Sequence, residues 1–165
     1  MVWLTGLSGS GKTTIASALV ARFSELGIAA ELLDGDAIRR AAGRIGFSRE
    51  DRRQQVEAVG AAAAGLEQLG RVVVAGLISP YQADRDAVRR KCRRFVEVYV
   101  ATSLAECERR DPKGLYARAR AGALAQFTGV DDPYEAPPSP EVTIPTGLSV
   151  IEAVGLIEAR FRALA

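Results

Sequence analysis

Eight residues near the start, Gly6-Leu7-Ser8-Gly9-Ser10-Gly11-Lys12-Thr13, match the spacing GxxxxGK[ST], and they lie between a strand pattern and a helix pattern. Glycines at this spacing let backbone N–H groups turn inward around phosphate oxygens, and the helix that follows adds the partial positive charge of its N-terminus. Lys12 is placed to reach β- and γ-phosphates, and Thr13 offers a hydroxyl to Mg²⁺. The loop, with Thr14 just beyond it, is therefore read as the site for the tail of a nucleoside triphosphate, with ATP expected.

An acceptor for the phosphoryl group needs a second pocket, and several residues offer one. Asp34-Gly35-Asp36 closes an apolar run, so its carboxylates face the crevice at a strand's carboxyl end. One carboxylate can polarise an acceptor hydroxyl or help hold Mg²⁺ through water; the other can fix the acceptor. Taken alone, such a stretch is more simply a turn rich in Asp and Gly. Arg39 follows on the next helical turn, and Arg52 and Gln55, three apart, share one helix face. Phe47 can stack on a base, and Lys113 sits beside Gly114 in a segment expected to move.

The elements that must hold these residues follow from the apolar pattern. Strands are expected at 2–5, 29–34, 71–79, 95–101 and 142–144. Helices are expected over 12–26, stopped by Gly27; from Ser48, as N-cap of a capping box with Asp51, to about Gly70; over 84–94; over 103–111; partly over 113–127; and over 149–164. The proline-rich stretch after Asp132 is expected to cross the surface without regular structure. This alternation predicts one α/β domain over 1–165 in three layers, a P-loop nucleotide-kinase-like fold with a mainly parallel five-stranded sheet and a lid-like segment at about 109–140.

Composition narrows the chemistry. The net charge is +2, which supplies no strong field for nucleic acid or a membrane surface. There is no histidine, which removes Ser-His-Asp catalysis and His-ligated metals and leaves carboxylate, Lys, Tyr or Cys as general base. The two cysteines, Cys92 and Cys107, form no CxxC pair, and a reduced, cytoplasmic setting is expected. No signal-peptide pattern precedes the first strand, and no apolar run is long enough to span a bilayer.

The stretches VWLTGLSGSGKTT, LLDGDAIR, GFSREDR, ISPYQADRDAVR, FVEVYV, CERRDPKGLYARARAG and FTGVDDPYEAPPSPE together resemble the adenylylsulfate kinases, in family order across most of the chain. The resemblance implies transfer of the ATP γ-phosphoryl to the 3′-hydroxyl of adenosine 5′-phosphosulfate, with Mg²⁺. By the same resemblance Lys12, Asp34 and Ser79 are the catalytic candidates, with Asp34 near the 3′-hydroxyl and, like Thr13, near the metal. Ser79 matches the serine described in the family as a phosphoserine intermediate, although direct in-line transfer with Ser79 as a polar wall is physically simpler. Asp36, Arg39, Phe47, Arg52, Gln55, Ile78, Ser79, Lys113, Leu115 and Phe127 form the implied acceptor shell, with Phe47 and Phe127 sandwiching the adenine. Residues 6–14 and Arg109 form the implied ATP site, and Arg110, Arg118 and Arg120 join Arg109 in the lid. A homodimer is implied as well.

The chain departs from the family pattern in three ways. Ala37 and Gln55 stand where Asn is usual, and Glu57-Ala58 replaces a basic pair. They keep open a related P-loop kinase with another nucleotide-like acceptor. A nucleotide-binding regulatory domain with little turnover is the alternative from another class, opposed by the intact Lys12, Thr13, Asp34 and Asp36.

Overall fold

In the computed structural model five strands form one parallel sheet in the order β2-β3-β1-β4-β5: β1 (Val2–Thr5), β2 (Ala30–Asp34), β3 (Val72–Gly76), β4 (Val96–Ala101) and β5 (Val142–Pro145). The helices are α1 (Lys12–Glu25), α2 (Arg49–Gln68), α3 (Gln82–Arg89), α4 (Leu104–Arg110), α5 (Leu115–Arg120) and α6 (Val150–Ala163). The structure describes residues 1–164 apart from 36, 39–42 and 44–45.

The layers follow from alternation along the strands. Val2 and Leu4 of β1 point to one face and pack with Ile15, Leu19 and Phe23 of α1 and Ile157 of α6. Met1 and Trp3 point to the other face, against Val56, Val59 and Ala63 of α2 and Val88 of α3. All four β1 residues are fully buried, as expected of a central parallel strand covered on both sides. Each such buried aliphatic side chain contributes about 1.5–3 kcal/mol relative to exposure.

The stops read from the sequence are in place. α1 gives way to Gly27 at φ +71° and α2 to Gly70 at φ +76°, both left-handed. The Ser48–Asp51 capping box is formed: Asp51 N–H donates to Ser48 Oγ at 3.1 Å, and Ser48 N–H donates to the Asp51 carboxylate at 3.1 Å. It fixes the start of α2, and so the phase at which Arg52 and Gln55 leave that helix. A second box, Ser149 with Glu152, opens α6.

Two boundaries differ from expectation. The apolar run 71–79 leaves the sheet after Gly76: Leu77 N–H makes a last bond to Leu4 O, and Ser79, at φ +39°, lies outside the backbone range of a strand. The helix expected over 84–94 spans Gln82–Arg89 instead. It begins earlier because the Glu135 carboxylate accepts from Gln82 N–H at 2.7 Å. It ends earlier in tight turns, with Lys91 N–H donating to Val88 O at 2.9 Å, that swing the chain back so that Val96 N–H reaches Met1 O.

Candidate active site

The loop between β1 and α1 lies at the carboxyl end of the central strand, and its glycines meet two needs. A Cβ on Gly6 would sit 2.6 Å from the carbonyl oxygen of Val100, so only glycine lets the loop pass the end of β4. Gly11 occupies the α1 N-cap at φ +104° and provides no capping side chain, so the first N–H groups of α1 remain for an anion. The Lys12 ammonium donates to Gly6 O at 2.9 Å, Leu7 O at 2.7 Å and Ser10 Oγ at 3.3 Å, which holds it within the loop. Two outer bonds brace the loop: Thr102 Oγ1 donates to Ser10 O, and Tyr116 Oη donates to Ser8 O. Burial pushes the Tyr116 pKa up, so the hydroxyl stays a neutral donor.

A cleft of about 720 Å³ runs from this loop along the carboxyl edge of the sheet. Gly9, Gly11, Lys12, Thr13 and Thr14 line one end; Asp34, Ile78 and Ser79 line the middle; Phe47, Arg52, Gln55, Lys113, Leu115 and Phe127 line the rest. Gly6, Leu7 and Ser10 stand behind the loop surface rather than in the cleft wall, and Asp36 and Arg39 lie outside the described residues. Asp34 Oδ1 accepts from Ala37 N–H at 3.1 Å, which sets its carboxylate at the strand end. Thr13 is exposed at the start of α1. Among the described residues no group of three or more carboxylates or thiols could cage a metal. One hydroxyl and one carboxylate suit Mg²⁺, which keeps waters and substrate phosphates among its ligands.

The acceptor end is rigidly built. Arg52 is 2% exposed; its Nε donates to Phe47 O at 2.9 Å and its Nη2 to Gln126 O at 2.5 Å, with Asp132 Oδ2 3.8 Å away. It is thus a buried member of the cleft wall and not a solvated surface cation. Gln55 Nε2 donates to Gly35 O at 2.6 Å, tying α2 to the turn after Asp34. Asp131 accepts from the N–H groups of Gln126 and Phe127, which hold its carboxyl below its ordinary range and pin the chain beside Phe127.

Two expected placements differ. The Phe47 and Phe127 rings meet edge to face, with centroids 6.5 Å apart and planes at 70°, and do not form parallel walls. Phe127 is instead 1% exposed and packs edge-on to Tyr116, which fixes its tilt. Arg109 does not line the cleft: both Glu106 oxygens accept from it at 2.7 Å, and its side chain is 72% exposed. Its neighbour Arg110 does, with Nη1 3.4 Å from Gly9 O. Arg118 and Arg120 are exposed on α5, and Arg120 pairs with Glu108. Tyr116 and Arg85, buried and bonded to the cleft's own backbone, went without a role in the sequence; their places inside quoted motifs were the signal.

Ser79 is 3% exposed, and its hydroxyl is engaged on both sides. It accepts from Trp3 Nε1 at 3.0 Å and donates to Thr5 Oγ1 at 3.1 Å. Neither partner is a base that could take its proton, an arrangement suited to a wall of the cleft. Ser79→Ala is expected to lower kcat by no more than about threefold, below 1 kcal/mol of barrier. It should cost stability of about 1–3 kcal/mol, because the buried Trp3 N–H loses its acceptor. Steady-state kinetics and a thermal melt check both, and complete loss of turnover in a folded variant would restore the nucleophile role.

A family model described as adenylylsulphate kinase matches residues 1–145. The adenylyl-sulfate kinase of Picosynechococcus sp. is 49% identical over 152 residues, 92% of this chain and 86% of that one. The solved Mycobacterium tuberculosis APS kinase, in complex with AMPPNP and APS, superposes with a TM-score of 0.94 at 38% identity, covering 98% of this chain and 96% of that one. A hexameric APS kinase from Thiobacillus denitrificans matches at a TM-score of 0.72 and 32% identity, covering 98% of this chain and 28% of that one.

Proposed function

The chain belongs to the adenylylsulphate kinase family, and we propose from that premise how its own residues move a phosphoryl group. The activity is that of an ATP-dependent adenylyl-sulfate kinase using Mg²⁺. The γ-phosphoryl of ATP passes to the 3′-hydroxyl of adenosine 5′-phosphosulfate, giving the 3′-phosphorylated nucleotide and ADP for sulfate assimilation.

In the proposed mechanism the N–H groups of residues 6–13 and the Lys12 ammonium bind the triphosphate and take up charge that develops between its β- and γ-phosphates. Thr13 and Asp34 would hold Mg²⁺, which neutralises phosphate charge when bound. Asp34 accepts or orients the proton of the 3′-hydroxyl as its oxygen attacks phosphorus in line and the bond to the β-phosphate oxygen breaks. Arg52, Lys113 and, by the resemblance, Asp36 and Arg39 grip the acceptor, whose phosphosulfate carries two negative charges suited to forked contacts. Phe47 and Phe127 offer ring surface to its adenine, Gln55, Ile78 and Leu115 close the wall, and Arg110 replaces Arg109 as the arginine proposed nearest ATP. The observation that carries the reading is the single cleft joining Lys12 to Asp34 and on to Phe47 and Arg52.

The test is ADP release from ATP and Mg²⁺ with and without adenosine 5′-phosphosulfate. Release that depends on the acceptor supports the reading. Acceptor-independent release would mean hydrolysis, and none at all would favour a regulatory nucleotide-binding role. The same reading includes self-association as a homodimer; the Thiobacillus denitrificans relative is hexameric, and sedimentation at the mass of one chain would refute self-association here. It includes a cytoplasmic setting, supported by two free thiols, Cys92 and Cys107. No helix among the described residues is long and apolar enough to cross a membrane.

A further inference from the structure

We infer that Arg85 is a positioning residue that sets the acceptor wall of the cleft without touching the acceptor. The inference rests on the acceptor pocket assigned above. Arg85 lies in α3, is 1% exposed and does not line the cleft. Its guanidinium makes three bonds of 2.8 Å to three separate parts of the fold. Nε donates to Glu97 Oε1 on β4, Nη1 to the carbonyl of Ser79, and Nη2 to the carbonyl of Glu135.

A structural ion pair would need the first bond alone. The other two fix the backbone of Ser79, in the cleft wall, and of Glu135, which is bonded to the neighbouring Pro80. Ser79 holds φ +39°, a strained backbone for a residue with a Cβ, and such a residue persists where its surroundings over-determine it. The Arg85 bond to its carbonyl is one such constraint; the bonds from Trp3 and to Thr5 are the others. Ile78, Ser79 and Pro80 then stand as cleft wall rather than continuing β3.

Glu135 lies eight residues after Phe127 in the segment between α5 and β5, and this segment is stitched to the Ser79 turn. Glu135 N–H donates to Pro80 O at 2.8 Å, Tyr81 Oη donates to Asp132 at 2.9 Å, and Tyr134 Oη lies 2.9 Å from Thr5 Oγ1. Arg85 is the buried cation that grips both strips of backbone at once. The planar fork is what allows this: its nitrogens reach partners on separate sides of the group, whereas a lysine ammonium gathers all its donors on one atom and cannot span them. The phosphate loop is braced separately, by Thr102 and Tyr116, so the effect falls on the acceptor.

The test is a crossover between two variants, measured on whichever acceptor the wild-type protein phosphorylates, so that failure of the acceptor assignment is seen first and independently. Arg85→Lys keeps a cation beside Glu97 and loses the fork; KM for the acceptor should rise about tenfold or more while KM for ATP stays within about twofold. Glu97→Gln keeps the fork and both carbonyl bonds but weakens the ion pair; it should lower the melting temperature and leave acceptor KM within about twofold. If Arg85→Lys does not fold, Arg85→Met/Glu97→Met exchanges the buried pair for apolar side chains and should show the same selective rise. Equal changes in both KM values, or a lowered melting temperature with acceptor KM unchanged in every variant lacking Arg85, would overturn the inference.

Discussion

Lys12→Ala is expected to lower kcat/KM by about a hundredfold or more, close to 3 kcal/mol of transition-state stabilisation. In the family's reaction charge spreads over the γ-phosphoryl and the leaving β-phosphate oxygen, and a fixed cation there is worth more than in water because the loop excludes solvent. Lys12 is 9% exposed, and three oxygens of the loop hold its ammonium, so no neighbouring cation can take its place without rebuilding the loop. Arg110 also lines the cleft, but it pairs with Glu106 at 2.8 Å and stands beside the loop, 3.4 Å from Gly9 O, rather than within it. Steady-state kinetics with ATP varied at saturating acceptor give the number. A loss under about threefold would mean that the loop is not the catalytic phosphate site.

Asp34→Asn is expected to remove most turnover, a hundredfold or more in kcat by the usual worth of a positioned general base, with the melting temperature nearly unchanged. The substitution keeps size and one carbonyl oxygen, so the bond accepted from Ala37 N–H survives. What goes is the negative charge between the phosphate loop and the acceptor wall, with any metal contact it makes. No histidine exists in the chain to take over. The melting temperature separates loss of chemistry from loss of fold. Near-normal turnover in Asp34→Asn would move the base role to Asp36.

The sequence made the phosphate half of the site legible because every constraint there is local. Gly6 to Thr13 are contiguous, and the loop's spacing encodes its geometry. The Ser48 capping box and the stops at Gly27 and Gly70 are local in the same way, which is why helix starts and stops near them agree with the structure. Other features depend on distant partners. From Val72 to Ile78 the run carries no polar side chain, and hydropathy cannot distinguish strand from cleft wall; nor can it show the positive φ at Ser79, which Arg85 and Trp3 support from elsewhere. Arg109 and Arg110 are adjacent and chemically identical, and only the phase of α4, fixed by the Ser103 cap and Cys107 packing, sends one toward Gly9 and the other to solvent. Phe127 reads as a stacking ring from its motif, but its tilt is set by Tyr116, eleven positions away.

Gln55 illustrates how a departure can be absorbed. The extra methylene that separates it from asparagine carries its amide as far as Gly35 O, so the side chain braces the turn that presents Asp34. The family reaction then needs no different acceptor to account for this residue.

The most direct measurement locates the transferred phosphate. The protein is given ATP, Mg²⁺ and an equimolar mixture of adenosine 5′-phosphosulfate, AMP and other nucleoside monophosphates, and the products are resolved by phosphorus NMR. The account requires a new phosphomonoester on the 3′-oxygen of adenosine 5′-phosphosulfate, formed with one ADP per turnover, while AMP stays unmodified. A phosphate on any other acceptor, with adenosine 5′-phosphosulfate left intact, would contradict it.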